Sequence, residues 1–131
     1  MPGPAEYRRP ERADVAAVAK LAHKVGAVVI VDNVFATPML QKPLELGADI
    51  VVYSTTKHVD GQGRCLGGVV LGSKKYINET LHAYLKHTGP SMSPFNAWVM
   101  LKSLETLPLR VRAACDTAAK LADALAVHKG V

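Results

Sequence analysis

Cysteine is scarce in this sequence: Cys65 and Cys115 stand far apart and no second pair accompanies them. That excludes a disulfide framework and offers no zinc-ligand spacing, so a reducing, cytoplasmic setting is expected. Long apolar runs are missing too. The strongest, Ala27 to Val31, falls far short of the roughly 20 residues that a membrane span requires. The first residues, Met1-Pro2-Gly3-Pro4-Ala5-Glu6, lack a basic region followed by an apolar one, so no secretory signal is expected. Charge is not concentrated: 16 Lys and Arg face 11 Asp and Glu, a net +5 scattered along the chain, which argues against a nucleic-acid module. Gly 10 and Pro 8 are ordinary and exclude collagen-like and low-complexity classes. No glycine-rich loop ends in Gly-Lys-Ser or Gly-Lys-Thr, so a nucleoside-triphosphate loop is absent. His23, His58, His82, His87 and His128 have no metal-ligand spacing with carboxylates, and no metal is expected.

What is present is a core-forming chain. With 131 residues and 49% hydrophobic content, one domain can bury roughly 68% of its extended surface. Residues 1–12, rich in proline and charge, read as an irregular lead-in, and the domain proper as 13–131. Asp14 can cap a helix with apolar positions Val15, Val18, Ala19 and Ala22, stopped by Gly26. Ala27 to Val31 follows, β-branched and apolar on both faces, as in a parallel strand covered by helices. It ends on Asp32-Asn33. Pro43 to Leu46 forms a short helix closed by Gly47, and Asp49 to Tyr53 the next buried strand, ending on Ser54-Thr55-Thr56-Lys57.

A third strand, Gly68 to Leu71, follows a glycine-rich loop with no helical period. Lacking a crossover helix, it is expected to run antiparallel to its predecessor. Ser73 can cap a helix over 74–86. Ser93-Pro94 is a cap and first-turn proline for a helix carrying Phe95, Trp98, Leu101 and Leu104, with Trp98 and Phe95 read as core and Pro108 as the interruption. A last helix, with Val111, Ala114, Ala118, Leu121 and Leu125 on one stripe, runs to Gly130. The alternation predicts an α/β fold, a mostly parallel sheet with helices on both faces. At most three strands are legible, so the sheet reads as part of a larger one.

In open α/β sheets, ligands collect beyond the carboxyl ends of the strands. Asp32 ends one strand, and Ser54, Thr55, Thr56 and Lys57 end the next. A lysine amine attacks carbonyls only when neutral, a form that burial or a nearby cation can favour. Hydroxyls and backbone amides suit a phosphate, and a carboxylate facing a pyridine nitrogen keeps it protonated. Together these requirements describe pyridoxal 5'-phosphate. The plainer alternative for each residue is a solvated lysine, hydroxyls that cap turns and an aspartate that caps a helix. Gly61-Gln62-Gly63-Arg64-Cys65-Leu66-Gly67 approaches a dinucleotide motif, but its third glycine comes one position late and no helix opens there.

Val31-Asp32-Asn33-Val34-Phe35-Ala36-Thr37-Pro38, then Leu40-Gln41-Lys42-Pro43-Leu44-Glu45-Leu46-Gly47-Ala48-Asp49, then Ser54-Thr55-Thr56-Lys57-His58 resemble the Cys/Met-metabolism family of pyridoxal-phosphate enzymes. The likeness runs from about Asp14 to the end, through Gly67-Gly68-Val69-Val70 and Pro94-Phe95-Asn96-Ala97-Trp98 to Leu104-Glu105-Thr106-Leu107. It implies part of the large domain of a fold-type I pyridoxal-phosphate transferase. It implies that Lys57 bonds to the cofactor aldehyde and shuttles protons, that Asp32 pairs with the pyridine nitrogen, and that Ser54 and Thr56 bind the phosphate. Gly61-Gln62-Gly63-Arg64 is similar to the O-succinylhomoserine sulfhydrylase branch, where lyases and cystathionine synthases more often carry Gly-His-Ser-Asp. The implied reaction is γ-replacement in methionine biosynthesis, giving homocysteine and succinate from O-succinylhomoserine and sulfide, in a homo-oligomer, a tetramer in the family.

Other transsulfuration activities remain as alternatives: cystathionine synthase or lyase, or O-acetylhomoserine sulfhydrylase. Family chains are roughly three times longer. The glycine-rich phosphate turn, the ring-stacking tyrosine, the Tyr-x-Arg element and the substrate-binding arginine of the C-terminal domain have no counterpart in this sequence; Tyr7-Arg8-Arg9 does not match that element. The resemblance is therefore to a partial large domain. This chain alone is expected to be inactive, and a non-catalytic truncated piece of such an enzyme is the competing reading.

Overall fold

The computed structural model describes residues 13–130; the lead-in expected over 1–12 lies outside them. The Asp14 carboxylate accepts the Ala17 amide at 3.0 Å and so caps α1 (Val15–His23). Gly26, at φ 72°, turns the chain from α1 toward β1 (Ile30–Asp32), a left-handed conformation that costs glycine little. A short α2 (Thr37–Leu40) and a 3-10 turn (Pro43–Leu46) lead to β2 (Ile50–Ser54), and β3 (Gly68–Gly72) completes the sheet.

Sheet order is β1-β2-β3. β1 and β2 are parallel, with Asp32 opposite Val52; β2 and β3 are antiparallel, with Ser54 opposite Gly68, as the missing crossover helix requires. One face carries the core. Val15 and Ala19 of α1 pack with Val29, Ala48, Val51 and Tyr53. Val51 is 1% exposed, and burying such a side chain contributes about 1.5–3 kcal/mol. The other face of β1 is only partly covered. As the edge strand it leaves Ile30 exposed, like Val28 just before it, because α1 packs on the opposite side.

The remaining chain is helical. Ser73 accepts the Tyr76 amide at 3.1 Å at the start of a helix that runs as a π-helical stretch (Tyr76–Leu81) into α3 (His82–Thr88). Ser93 caps α4 (Pro94–Leu104) by accepting the Asn96 amide at 3.1 Å. α5 follows (Leu107–Ala126), ending before Gly130. Two expectations need correction. The helix break falls at Glu105-Thr106, with Pro108 inside the first turn of α5, where its missing N–H costs no intrahelical bond. Phe95 and Trp98 are not core: they are 68% and 56% exposed, and Val99, Met100 and Ser103 face inward instead. α4 is apolar nearly all round, so packing rather than periodicity chooses its buried face. On α5 only Leu107 and Val111 are buried; Leu121 and Leu125 are not. No helix among the described residues is long and apolar enough to cross a membrane.

Candidate active site

Parallel pairing brings the carboxyl ends of β1 and β2 to the same end of the sheet. Residues paired across a ladder share a face, so Asp32, opposite Val52, lies on the face that Ser54 also occupies two residues on. Asn33 ties the two ends together. It is 1% exposed, and its backbone N–H extends the ladder by one bond, to the Val52 carbonyl at 3.1 Å. Its side-chain amide donates to Tyr53 Oη at 2.9 Å and to the carbonyls of Gln41 and Thr37, and its Oδ1 accepts from Gln41 Nε2. Beyond it, Phe35 meets His58 edge to face, with ring centroids 6.2 Å apart.

Of the residues singled out in the sequence, Asp32 is exposed and accepts the Val34 amide at 3.0 Å through Oδ1, which leaves Oδ2 for a ligand. It lines an open cavity of about 590 Å³ together with Val31, Phe35, Leu40 and Gln41. Lys57 does not line that cavity; its side chain is exposed and its amine makes no hydrogen bond or ion pair among the described residues. Ser54 is half-buried. Thr56 Oγ1 accepts the Gly67 amide at 3.0 Å and directs its proton to the Gly67 carbonyl at 3.4 Å, a contact weak enough for that proton to be redirected to a phosphate oxygen. Thr55 is buried, and its Oγ1 has no hydrogen-bond partner. A free primary amine, strand-end hydroxyls and a half-satisfied carboxylate on the next strand form a donor set that fits a phosphorylated pyridine aldehyde.

Sequence reasoning missed the groups that hold this end of the sheet. The Asp60 side chain is fully buried. Burial alone would raise its pKa, but the Arg64 amide, the Arg64 guanidinium and the Cys65 amide outweigh it and hold the carboxyl below the ordinary carboxylate range. Arg64 Nε donates to Asp60 Oδ1 at 2.8 Å, and its Nη2 to Ser103 Oγ at 2.6 Å. Arg110 of α5 reaches back to the carbonyls of His58 and Val59. The opposite charges at 60 and 64 were a readable local signal; Arg110, separated by 52 residues from His58, gave none. At the far end of the strands, the Val29 amide and His23 hold the Asp49 carboxyl below its usual range, bracing α1 against the sheet.

An α/β domain with a free lysine and a carboxylate at adjoining parallel strand ends has the layout of a cofactor-binding large domain. The profile of the Cys/Met metabolism PLP-dependent enzyme family matches residues 9–131. The chain belongs to this family, and pyridoxal phosphate is the family's cofactor. It is 55% identical over 118 residues to O-succinylhomoserine sulfhydrylase of Mycobacterium tuberculosis, covering 90% of this chain and 29% of that protein. It is 50% identical over 121 residues to the O-succinylhomoserine sulfhydrylase of Pseudomonas aeruginosa, covering 92% and 30%. Cystathionine gamma-lyase from Lactobacillus plantarum, solved with L-serine, superposes with a TM-score of 0.85 at 35% identity, over 88% of this chain and 30% of that one. The chain thus spans under a third of the length of these relatives, and the fold is that of part of a fold-type I large domain.

Proposed function

We propose that the chain supplies the lysine-bearing half of the cofactor site of an O-succinylhomoserine sulfhydrylase. The observation that carries the reading is the register of β1 and β2, which sets Asp32 and the Ser54–Lys57 run at one end of the sheet, with their loops joined through Phe35 and His58. Pyridoxal phosphate, when bound, supplies an electron sink that stabilises negative charge at the α-carbon of an amino acid. Lys57 would hold the cofactor through its amine and, when released by the substrate's own amine, would carry the α-proton. Asp32 keeps the ring nitrogen protonated, and Ser54 and Thr56 bind the phosphate. The net reaction is γ-replacement: hydrogen sulfide displaces succinate from O-succinylhomoserine, giving homocysteine. Identity of 55% and 50% to two O-succinylhomoserine sulfhydrylases supports that branch over the gamma-lyases, of which the Pseudomonas putida L-methionine gamma-lyase is 46% identical. Its partners are a small amino-acid substrate and further copies of the same chain, in a soluble, cytoplasmic enzyme.

A second reading, a cofactor-binding piece without turnover, is favoured by the exposure of both Asp32 and Lys57. We expect the purified 131-residue chain to take up pyridoxal phosphate at Lys57, seen as a borohydride-fixed adduct by peptide mapping, and to form no homocysteine on its own. Absence of the Lys57 adduct overturns the cofactor site. Homocysteine formation by this chain alone eliminates the second reading.

A further inference from the structure

The turn that carries Lys57 satisfies most of its own backbone. Lys57 N–H donates to the Ser54 carbonyl at 3.3 Å, Asp60 N–H to Thr55 at 2.8 Å and Gly61 N–H to Lys57 at 2.7 Å. The carbonyls of His58 and Val59 are not among these acceptors, and Val59 is buried. An unpaired buried carbonyl costs free energy comparable to a lost hydrogen bond. Arg110 reaches both: Nη1 donates to His58 at 2.7 Å and Nη2 to Val59 at 2.9 Å. The same guanidinium donates to the Ser103 carbonyl at 2.9 Å and the Thr106 hydroxyl at 3.1 Å, so it bridges the corner between α4 and α5 to the lysine turn. Ser103 serves a second arginine through its hydroxyl, which Arg64 approaches while pinning Asp60.

Gly61 shows how closely this bridge is fitted. At φ +72°, a Cβ there would stand 2.1 Å from Arg110 Nη1. The turn lies directly against the guanidinium, and any side chain at 61 would push the two apart. The polar cavity beside them, about 230 Å³ and lined by Arg64, Lys102 and Arg110, resembles an anion site, but its cations are committed internally: Lys102 pairs with Glu105 at 2.7 Å, and both arginines are bonded as described. The arrangement is a clamp on the backbone.

We propose that Arg110, seated against Gly61, is a positioning residue that holds the Lys57 turn so that the lysine amine meets the cofactor aldehyde. This role rests on the cofactor reading above and deepens it. The Lys57 amine makes no hydrogen bond or ion pair among the described residues, so its position is set through the backbone that Arg110 grips. A planar fork bonds two adjacent carbonyls at once, which an ammonium cannot reproduce. A catalytic group misplaced by about 1 Å can lose about 100-fold in rate.

The test is the rate and selectivity of labelling. With pyridoxal phosphate, a lysine nitrogen bonds to the aldehyde carbon and one water leaves; borohydride then supplies the hydride that saturates the C–N bond. Peptide mapping follows Lys57 against the other lysines of the same molecule, which serve as internal reference. Expected for wild type is preferential labelling at Lys57. Expected for Arg110→Met, Arg110→Lys and Gly61→Ala is a loss of that preference by at least roughly tenfold, with the other lysines labelled at unchanged rate and faster hydrogen exchange at the Gly61 amide. Loss of structure alone would not single out Lys57. Circular dichroism identifies which variants stay folded, and Arg110→Lys keeps the charge and stem if Arg110→Met does not fold. Unchanged Lys57 preference in folded Arg110→Lys and Gly61→Ala overturns the clamp and leaves the cofactor reading intact. A wild type without any Lys57 preference overturns that reading, and the clamp's role with it.

Discussion

Phe35 and His58 meet at 81° between ring planes, 6.2 Å between centroids, and so join the loop after β1 to the loop after β2. Each neighbours a site residue: Phe35 follows Asp32 by three positions and His58 follows Lys57 directly. Their contact couples the two halves of the candidate site. Phe35 is 77% exposed, so its replacement should cost the fold little; an aromatic pair of this kind contributes about 0.5–1.5 kcal/mol. Phe35→Ala is expected to lower the urea-derived stability by no more than that, while weakening pyridoxal-phosphate binding in a titration. A large stability loss with unchanged binding would show that the contact serves the core instead.

Asn33 offers the opposite balance, deep burial with several polar partners. Asn33→Leu removes the donor that satisfies Tyr53 Oη, Thr37 O and Gln41 O, and a buried group left unsatisfied costs about 1–3 kcal/mol. Thr37 adds to the sensitivity of this segment: it holds φ 57°, unusual for a β-branched residue, and its amide donates to the Asn33 carbonyl. Chemical denaturation is expected to register the loss, with Asn33→Asp falling between the two. A variant within 0.5 kcal/mol of wild type, about the spread of ordinary surface changes, would rule out this network as the anchor of the strand ends.

Asp60 makes stability depend on pH in a defined direction. Its carboxyl is held below the ordinary value of 3.8 by its bonds to Arg64 and Cys65, which outweigh burial, so the unfolded state binds the proton more readily. The stabilisation is complete above that ordinary value and disappears as pH falls through the lowered folded one. Asp60→Asn is expected to unfold at lower urea than wild type at pH 7, with the gap narrowing as the medium is acidified toward pH 3. A gap independent of pH would mean that the carboxylate's charge is irrelevant to the turn.

Trp98, the single tryptophan, is 56% exposed beside Phe95 on the outer face of α4. Its fluorescence should therefore be quenched efficiently by iodide in the folded monomeric chain. Emission shielded from iodide would mean that this face is covered in solution.

Much of the fold was legible locally. Asp14 and Ser93 cap helices because a short polar side chain before an apolar period answers the first free amides, and Gly26 and Gly47 stop helices because they accept a left-handed conformation. The antiparallel β3 followed from the want of a crossover. α4 was misread because Phe95, Trp98, Val99, Met100 and Leu101 surround the helix, and their spacing alone does not say which side is buried. In the site, the strand-end residues were readable by type. Asn33 and Arg110 were not, since their roles depend on bonds to Tyr53 and to the carbonyls of His58 and Val59, which come within reach only in the folded chain.

Alone, the order of residues determined the α/β alternation and brought Asp32 and Lys57 to the ends of successive strands, because strand length and side-chain alternation are short-range properties of the backbone. Only the folded chain decided the register that sets Asp32 opposite Val52, and that a guanidinium from α5 closes on the turn after Lys57. Register and long-range hydrogen bonds are chosen by which surfaces can be buried together and which carbonyls would otherwise go unpaired. Those requirements arise only once distant segments meet.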